Sequence, residues 1–133
     1  MQEKWVKWNA GLDEVPKKLY LESLTDNENG LTLIFSNENS TRFFRFIYKD
    51  SVLSYRNTDE SYMLRTLNHI TETYGREILE HPLFIIENSS YIEWFNSQSF
   101  DIYRDYDPKH YIFLTPNDIV EVISNNPPKV MVD

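Results

Sequence analysis

The stretch SFDIYRDYDPKHYIF, residues 99–113, gathers Asp101, Asp105, Asp107 and His110 with an arginine and three tyrosines between apolar anchors. Carboxylates and an imidazole at such spacing are the raw material of a hard-cation site or of acid–base chemistry. A calcium loop, however, needs a glycine at its sharp turn and a bidentate glutamate at its far end, and neither follows here. Carboxylates that share a proton must be buried in a pocket, whereas this segment reads as wet. Tyr103, Tyr106 and Tyr111 interleave with Asp101, Asp105 and Asp107. Phenols offer rigid contact area, and neighbouring carboxylates complement an Arg/Lys-rich surface. Recognition of a protein partner through Asp101, Tyr103, Asp105, Tyr106 and Asp107 is therefore the leading reading. A metal-dependent or acid–base enzyme built on Asp101, Asp105, Asp107 and His110 is the sharper alternative. A plain solvated acidic loop is the reading both have to beat.

Elsewhere the machinery of catalysis is thin. Gly11, Gly30 and Gly75 stand alone, so no phosphate loop, nucleophile elbow or dinucleotide fingerprint can be assembled, and no cofactor is expected. Without cysteine there is no thiolate chemistry, disulfide or Cys-based zinc site. His69 borders the apolar stripe of a predicted helix, and His81 precedes a proline in a turn. His110 opens a predicted buried strand, where it would bond a backbone carbonyl.

Twenty of the 133 residues are aromatic against three glycines, which favours strands with large cross-strand side chains in a single domain, 1–133. The net charge of −8 is lopsided: residues 1–66 carry nine basic and ten acidic groups, residues 67–133 four and eleven. An acidic half argues against nucleic acid or an anionic membrane as partner and permits steering of a basic protein. No apolar run approaches the roughly 20 residues that span a bilayer. Met1 leads into a polar segment, so the cytoplasm is the expected location.

The elements that must hold these groups come in two styles. Residues 17–25, 31–36, 41–49 and 52–57 read as four strands joined by the short turns DNENG, NENS and DS, hence an antiparallel meander. Phe44, Phe46 and Tyr48 share one face of the third strand, with Phe43 and Ile47 on the other. The face not covered by helices needs a lid, for which the N-terminal KWVKWN is a candidate. Met63, Leu67, Ile70 and Tyr74 form a helical stripe behind an N-cap at Thr58 or Asp59, with Gly75 as the stop. Ser90-x-x-Glu93 reads as a capping box before a short helix, and Thr115-Pro116 begins a third helix that buries Ile119, Val120, Val122 and Ile123. Residues 83–87 and 110–115 are short strands, and KVMV is an edge strand. The sum is an α+β fold: a four-strand meander followed by three helices mixed with short strands, helices on one face of the sheet. A small-ligand carrier with a pocket lined by Phe43, Phe46, Trp94 and Phe95 is a third functional possibility.

The segments ENSSYIEWFNSQSFDIY, HYIFLTPNDIVEVIS and PPKV give the second half of the chain, about residues 60–133, a resemblance. It resembles small acidic proteins of Bacillus-like bacteria associated with immunity proteins of polymorphic toxin systems. That resemblance implies a non-enzymatic cytoplasmic protein that binds and blocks a toxin domain, often a nuclease. None of its motifs carries a catalytic role.

Overall fold

The computed structural model describes residues 2–133. Its strands are β1 (Lys4–Lys7), β2 (Tyr20–Asn27), β3 (Gly30–Ser36), β4 (Phe43–Tyr48), β5 (Val52–Asp59), β6 (Leu83–Glu87), β7 (Lys109–Leu114), β8 (Asp118–Ser124) and β9 (Lys129–Val132). Two α-helices, α1 (Leu64–Tyr74) and α2 (Ser90–Gln98), and three 3-10 turns complete the described residues. All strand pairs are antiparallel. One sheet has the order β1-β6-β7-β8-β5 and the other β2-β3-β4-β9.

This corrects the sequence reading in two places. The four predicted strands exist, but the meander stops at β4. β5 leaves it to pair with β8 in the other sheet, and β9 takes the vacated edge, Phe46 opposite Val130. The predicted third helix is also absent, because residues 118–124 are β8, a central strand between β7 and β5. A strand buried on both faces shows an apolar residue at nearly every position, and such a run cannot be told from a buried helix by periodicity. Four of its residues are β-branched, which favours the extended form. Thr115 does not cap a helix. Its Oγ1 accepts from the backbone N–H of Asp118 at 2.8 Å, closing the turn between β7 and β8.

Two faces of the five-stranded sheet are covered by different partners, so helices lie on one side only of that sheet and never on the other. On one side Tyr111, Phe113, Val120 and Val122 meet Leu31, Leu33, Phe35, Phe44 and Phe46 of the second sheet. Phe35 stacks on Phe113 with centroids 5.4 Å apart, and Phe46 meets the same ring edge-on at 5.0 Å. The cover that Phe44, Phe46 and Tyr48 require is thus chiefly the other sheet. Trp8, from the N-terminal segment proposed as a lid, adds to it, 5.1 Å from Tyr111. On the opposite side Phe84, Ile86, Ile112, Leu114 and Ile119 pack under Ile70 of α1 and Ile78, with Met63, Leu67 and Trp5 at the margin. Asp59 caps a 3-10 turn at 60–62, and α1 begins only after Met63. β1 extends the five-stranded sheet beside β6, with Trp5 opposite Ile86.

Candidate functional site

The half of the outer sheet face that α1 leaves free is covered by α2, and this junction is polar. Successive strands bring Arg56, Glu121 and His110 into line: Arg56 lies opposite Glu121 in the β5–β8 register, and His110 opposite Ile123 in β7–β8. Glu121 is 3% exposed and His110 2%. Arg56 Nε donates to Glu121 Oε2 at 2.6 Å and its terminal nitrogen to Oε1 at 3.1 Å, a bidentate pair. His110 Nε2 lies 2.9 Å from Glu121 Oε1, and Nδ1 lies 2.7 Å from Ser89 Oγ. Ser89 is the N-cap of α2, its hydroxyl accepting from Ile92 N–H at 3.0 Å. The hydroxyl hydrogen is then free for Nδ1, which leaves Nε2–H to donate to the carboxylate. Tyr91, the second residue of α2, closes the network. Its ring lies 3.9 Å from the Arg56 guanidinium, and its hydroxyl is 2.6 Å from Ser54 Oγ.

Burial opposes ionisation of Glu121, but the hydrogen bonds from His110 and Arg56 outweigh it and hold the carboxyl below its ordinary range. Burial likewise works against the charge on Arg56, and the Glu121 carboxylate more than restores it. Tyr91 is shifted upward by burial, its bond with Ser54 and the Arg56 charge pulling the other way.

Ser89, His110 and Glu121 stand in the order of nucleophile, base and orienting carboxylate. Here the hydroxyl is committed to a helix cap and is 5% exposed, while the carboxylate is shared with a guanidinium. The string acts as a cross-link that docks α2 on the sheet. The sequence reading missed Arg56, Glu121, Ser89, Ser54 and Tyr91 as members of a network. The signal for it was Glu121 alone in the apolar run IVEVIS, a carboxylate that has to find a cation once buried. His110, expected to bond a backbone carbonyl, bonds two side chains instead. The predicted capping box starts one residue late: Ser89 is the cap, and Ser90 Oγ donates to Glu3 at 2.9 Å. His81 sits at a turn, its Nε2 3.0 Å from the Trp8 carbonyl, and His69 is exposed on α1.

The predicted partner-binding residues lie just beyond α2, on the outside. α2 ends in a Schellman motif, with Asp101 N–H reaching Asn96 O at 2.8 Å and Phe100 N–H reaching Ser97 O at 3.4 Å. The left-handed position of that motif normally falls to glycine. Here Phe100 occupies it at φ 54°, followed by Asp101 at φ 61°. Phe100 is consequently thrown outward and is 88% exposed, with Ile102 at 68% and Tyr106 at 64%. Trp94, on α2, is 52% exposed, and Tyr103 leans on Phe95 and Tyr106. Asp101 is paired with Arg104 at 2.8 Å, Asp105 is exposed with no ion pair among the described residues, and Asp107 lies 3.7 Å from Lys109. The segment therefore brings Asp101, Tyr103, Asp105, Tyr106 and Asp107 together on one projecting turn, but Tyr111 points into the inter-sheet core. The three aspartates are not joined by His110, whose ring nitrogens are taken by Ser89 and Glu121. No cluster of three metal-ligating side chains occurs among the described residues. Phe43, Phe46, Trp94 and Phe95 line no common cavity, since Phe46 is in the inter-sheet core and Trp94 and Phe95 ride on α2 outside it.

No helix among the described residues is long and apolar enough to cross a membrane. No protein-family model matches the chain, and comparison with curated proteins and with solved structures gave no significant match.

Proposed function

We propose that the chain is a non-enzymatic, cytoplasmic protein-binding module, an immunity-type inhibitor that sets the 99–107 turn into the basic cleft of a toxin domain. The observation that carries this reading is Phe100. A phenylalanine in the left-handed conformation costs about 1 kcal/mol or more over glycine, and an aromatic ring left in water gains nothing from burial. A side chain held at both disadvantages fits a contact made with another molecule. Ile102 and Tyr106 are exposed on the same turn, and Asp105 and Asp107 give it the negative rim that a cationic partner would meet. The net charge of −8 supports steering of such a partner and disfavours nucleic acid as the ligand.

Phe100→Gly separates binding from folding. It relieves the left-handed strain and removes an exposed ring, so the variant is expected to be as stable as the parent or up to about 1 kcal/mol more stable. Its affinity for the protein that co-purifies from the native host is expected to fall at least about tenfold, as for a hot-spot aromatic. The association rate of the parent with that protein is expected to drop steeply as salt is raised. Unchanged affinity in Phe100→Gly, together with a salt-independent association rate, overturns the reading.

A further inference from the structure

The two sheets end in four edge strands, β1, β5, β2 and β9, and three of these are closed to another strand. β2 and β5 each carry an extra residue in the ladder, Glu22 and Leu53, and such a bulge twists an edge away from a neighbour. On β1 the Trp5 N–H is taken by the Tyr74 hydroxyl at 3.1 Å. β9 is the exception. Its pairing with β4 is regular from Lys129 to Val132, and Asp133 N–H continues it to Phe43 O at 2.9 Å. Bonded pairs alternate along an antiparallel ladder, so Lys129, Met131 and Asp133 turn their backbone groups towards β4. Val130 and Val132 turn theirs outward, and no backbone hydrogen bond from elsewhere among the described residues reaches them. The loop 10–14 borders the two valines across an open hollow without bonding to their backbone.

The side chains along this edge, Lys129-Val130-Met131-Val132-Asp133, are their own complement when reversed. We infer that β9 pairs antiparallel with the β9 of a second copy of this chain, about a two-fold axis through Met131, so that two four-stranded sheets become one. In that register Val130 meets Val132 of the second copy, and each such pair exchanges both N–H···O bonds. Lys129 falls opposite Asp133 of the second copy, at a position where facing side chains come closest. Lys129 has no ion pair among the described residues, and Asp133 has only an exposed contact with Arg45 at 3.8 Å. Met131, 40% exposed on the outer face, meets its own copy. An axis through Val130 or Val132 would instead set a charged residue, Lys129 or Asp133, against Met131, so the central register is the one that matches charge to charge. A single pair of short strands is a small contact, and the association is correspondingly weak. The edge belongs to the second sheet, whereas the Phe100 turn follows α2 on the outer side of the first, so the inference stands apart from the partner-binding reading.

Sedimentation velocity of the full-length protein, from micromolar to millimolar concentration at low salt, is expected to show a reversible monomer–dimer equilibrium. Lys129→Asp sets like charges opposite one another in a homodimer, and so does Asp133→Lys. Each alone is expected to weaken self-association about tenfold, with little change in melting temperature because both positions are exposed. An equimolar mixture of the two variants is expected to recover the dimer, since every contact between positions 129 and 133 in the mixed pair again joins opposite charges. Amide exchange reads the register: the Val130 and Val132 N–H groups of the parent are expected to gain more protection with concentration than Met131, whose N–H is already bonded to β4. Phe100→Gly is expected to self-associate like the parent. A parent that stays monomeric over the whole range, a dimer that survives both single variants, or a mixture that stays monomeric although both variants fold would each overturn the inference. Loss of the dimer in Phe100→Gly would overturn it too, by moving the contact to the projecting turn.

Discussion

Replacing Glu121 by glutamine keeps the shape of the side chain and deletes the charge that joins β5, β7 and α2. The parent carboxylate takes three hydrogen bonds from charged or polarised donors at 2.6, 2.9 and 3.1 Å. Breaking a buried pair by removing one partner usually costs about 3–5 kcal/mol. The Arg56 side chain is 48% exposed, so its guanidinium can recover water, and glutamine can still bond one neighbour. Both considerations lower the expected loss to about 2–3 kcal/mol. For a chain of this size that corresponds to a fall in melting temperature of roughly 6–12 °C. Urea denaturation followed by tryptophan fluorescence measures it, with the slope of the transition unchanged if the fold is retained. The pH dependence supplies a second reading. Because the folded-state pKa of Glu121 lies below its unfolded value, the carboxylate's contribution is complete above the ordinary glutamate range near about 4.3. It is lost as pH falls through the lower folded-state value. The gap between parent and Glu121→Gln should therefore be widest near neutrality and close in acid. A variant within about 0.5 kcal/mol of the parent at pH 7, or a gap that persists undiminished to pH 3, would refute the account of the network as an electrostatic cross-link.

Two further substitutions address the sandwich. Tyr48 is 1% exposed, its hydroxyl is buried with no hydrogen-bond partner among the described residues, and burial pushes its pKa well up. Tyr48→Phe should therefore stabilise the protein by about 1 kcal/mol in a denaturant titration, and a loss of stability would show that the hydroxyl is satisfied. Gly30 has φ 108°, and a Cβ there would collide with the backbone carbonyl oxygens of Tyr48 and Lys49. Gly30→Ala should cost more than about 2 kcal/mol, read as a lowered denaturation midpoint, and a neutral result would mean that the β2–β3 turn can shift.

Local chemistry was legible where neighbours in sequence are neighbours in space. Asn29-Gly30 marks the β2–β3 turn, Gly75 ends α1, and the residues from 83 to 87 form a strand as read. Pairing between distant segments left no such mark. Nothing in the turn Asp50-Ser51 says that β5 abandons β4 for β8, because that choice depends on the two faces of a sheet whose other strands come later. The run from Ile119 to Ile123 looks helical only if a single buried face is assumed. The candidate site divides in the same way. The Tyr/Asp segment was visible from composition. The exposure of Phe100 was not, since a left-handed helix end without glycine gives no compositional signal, and the pairing of Arg56 with Glu121 depends on strand register.

The clasp of β9 on β4 bears on how the chain emerges during synthesis. β2, β3 and β4 are complete early, yet the Phe44–Phe46 edge acquires its second neighbour only when residues 129–132 have been made. Until then a strand of alternating aromatics stands with its backbone amides and carbonyls unclaimed, the kind of border along which two nascent copies adhere. A ribosome that stalls between β4 and β9 would release a species far more prone to aggregate than the finished protein. Weakening the Val130 and Val132 contacts should therefore reduce soluble yield in cells before it measurably lowers the stability of the protein that is recovered.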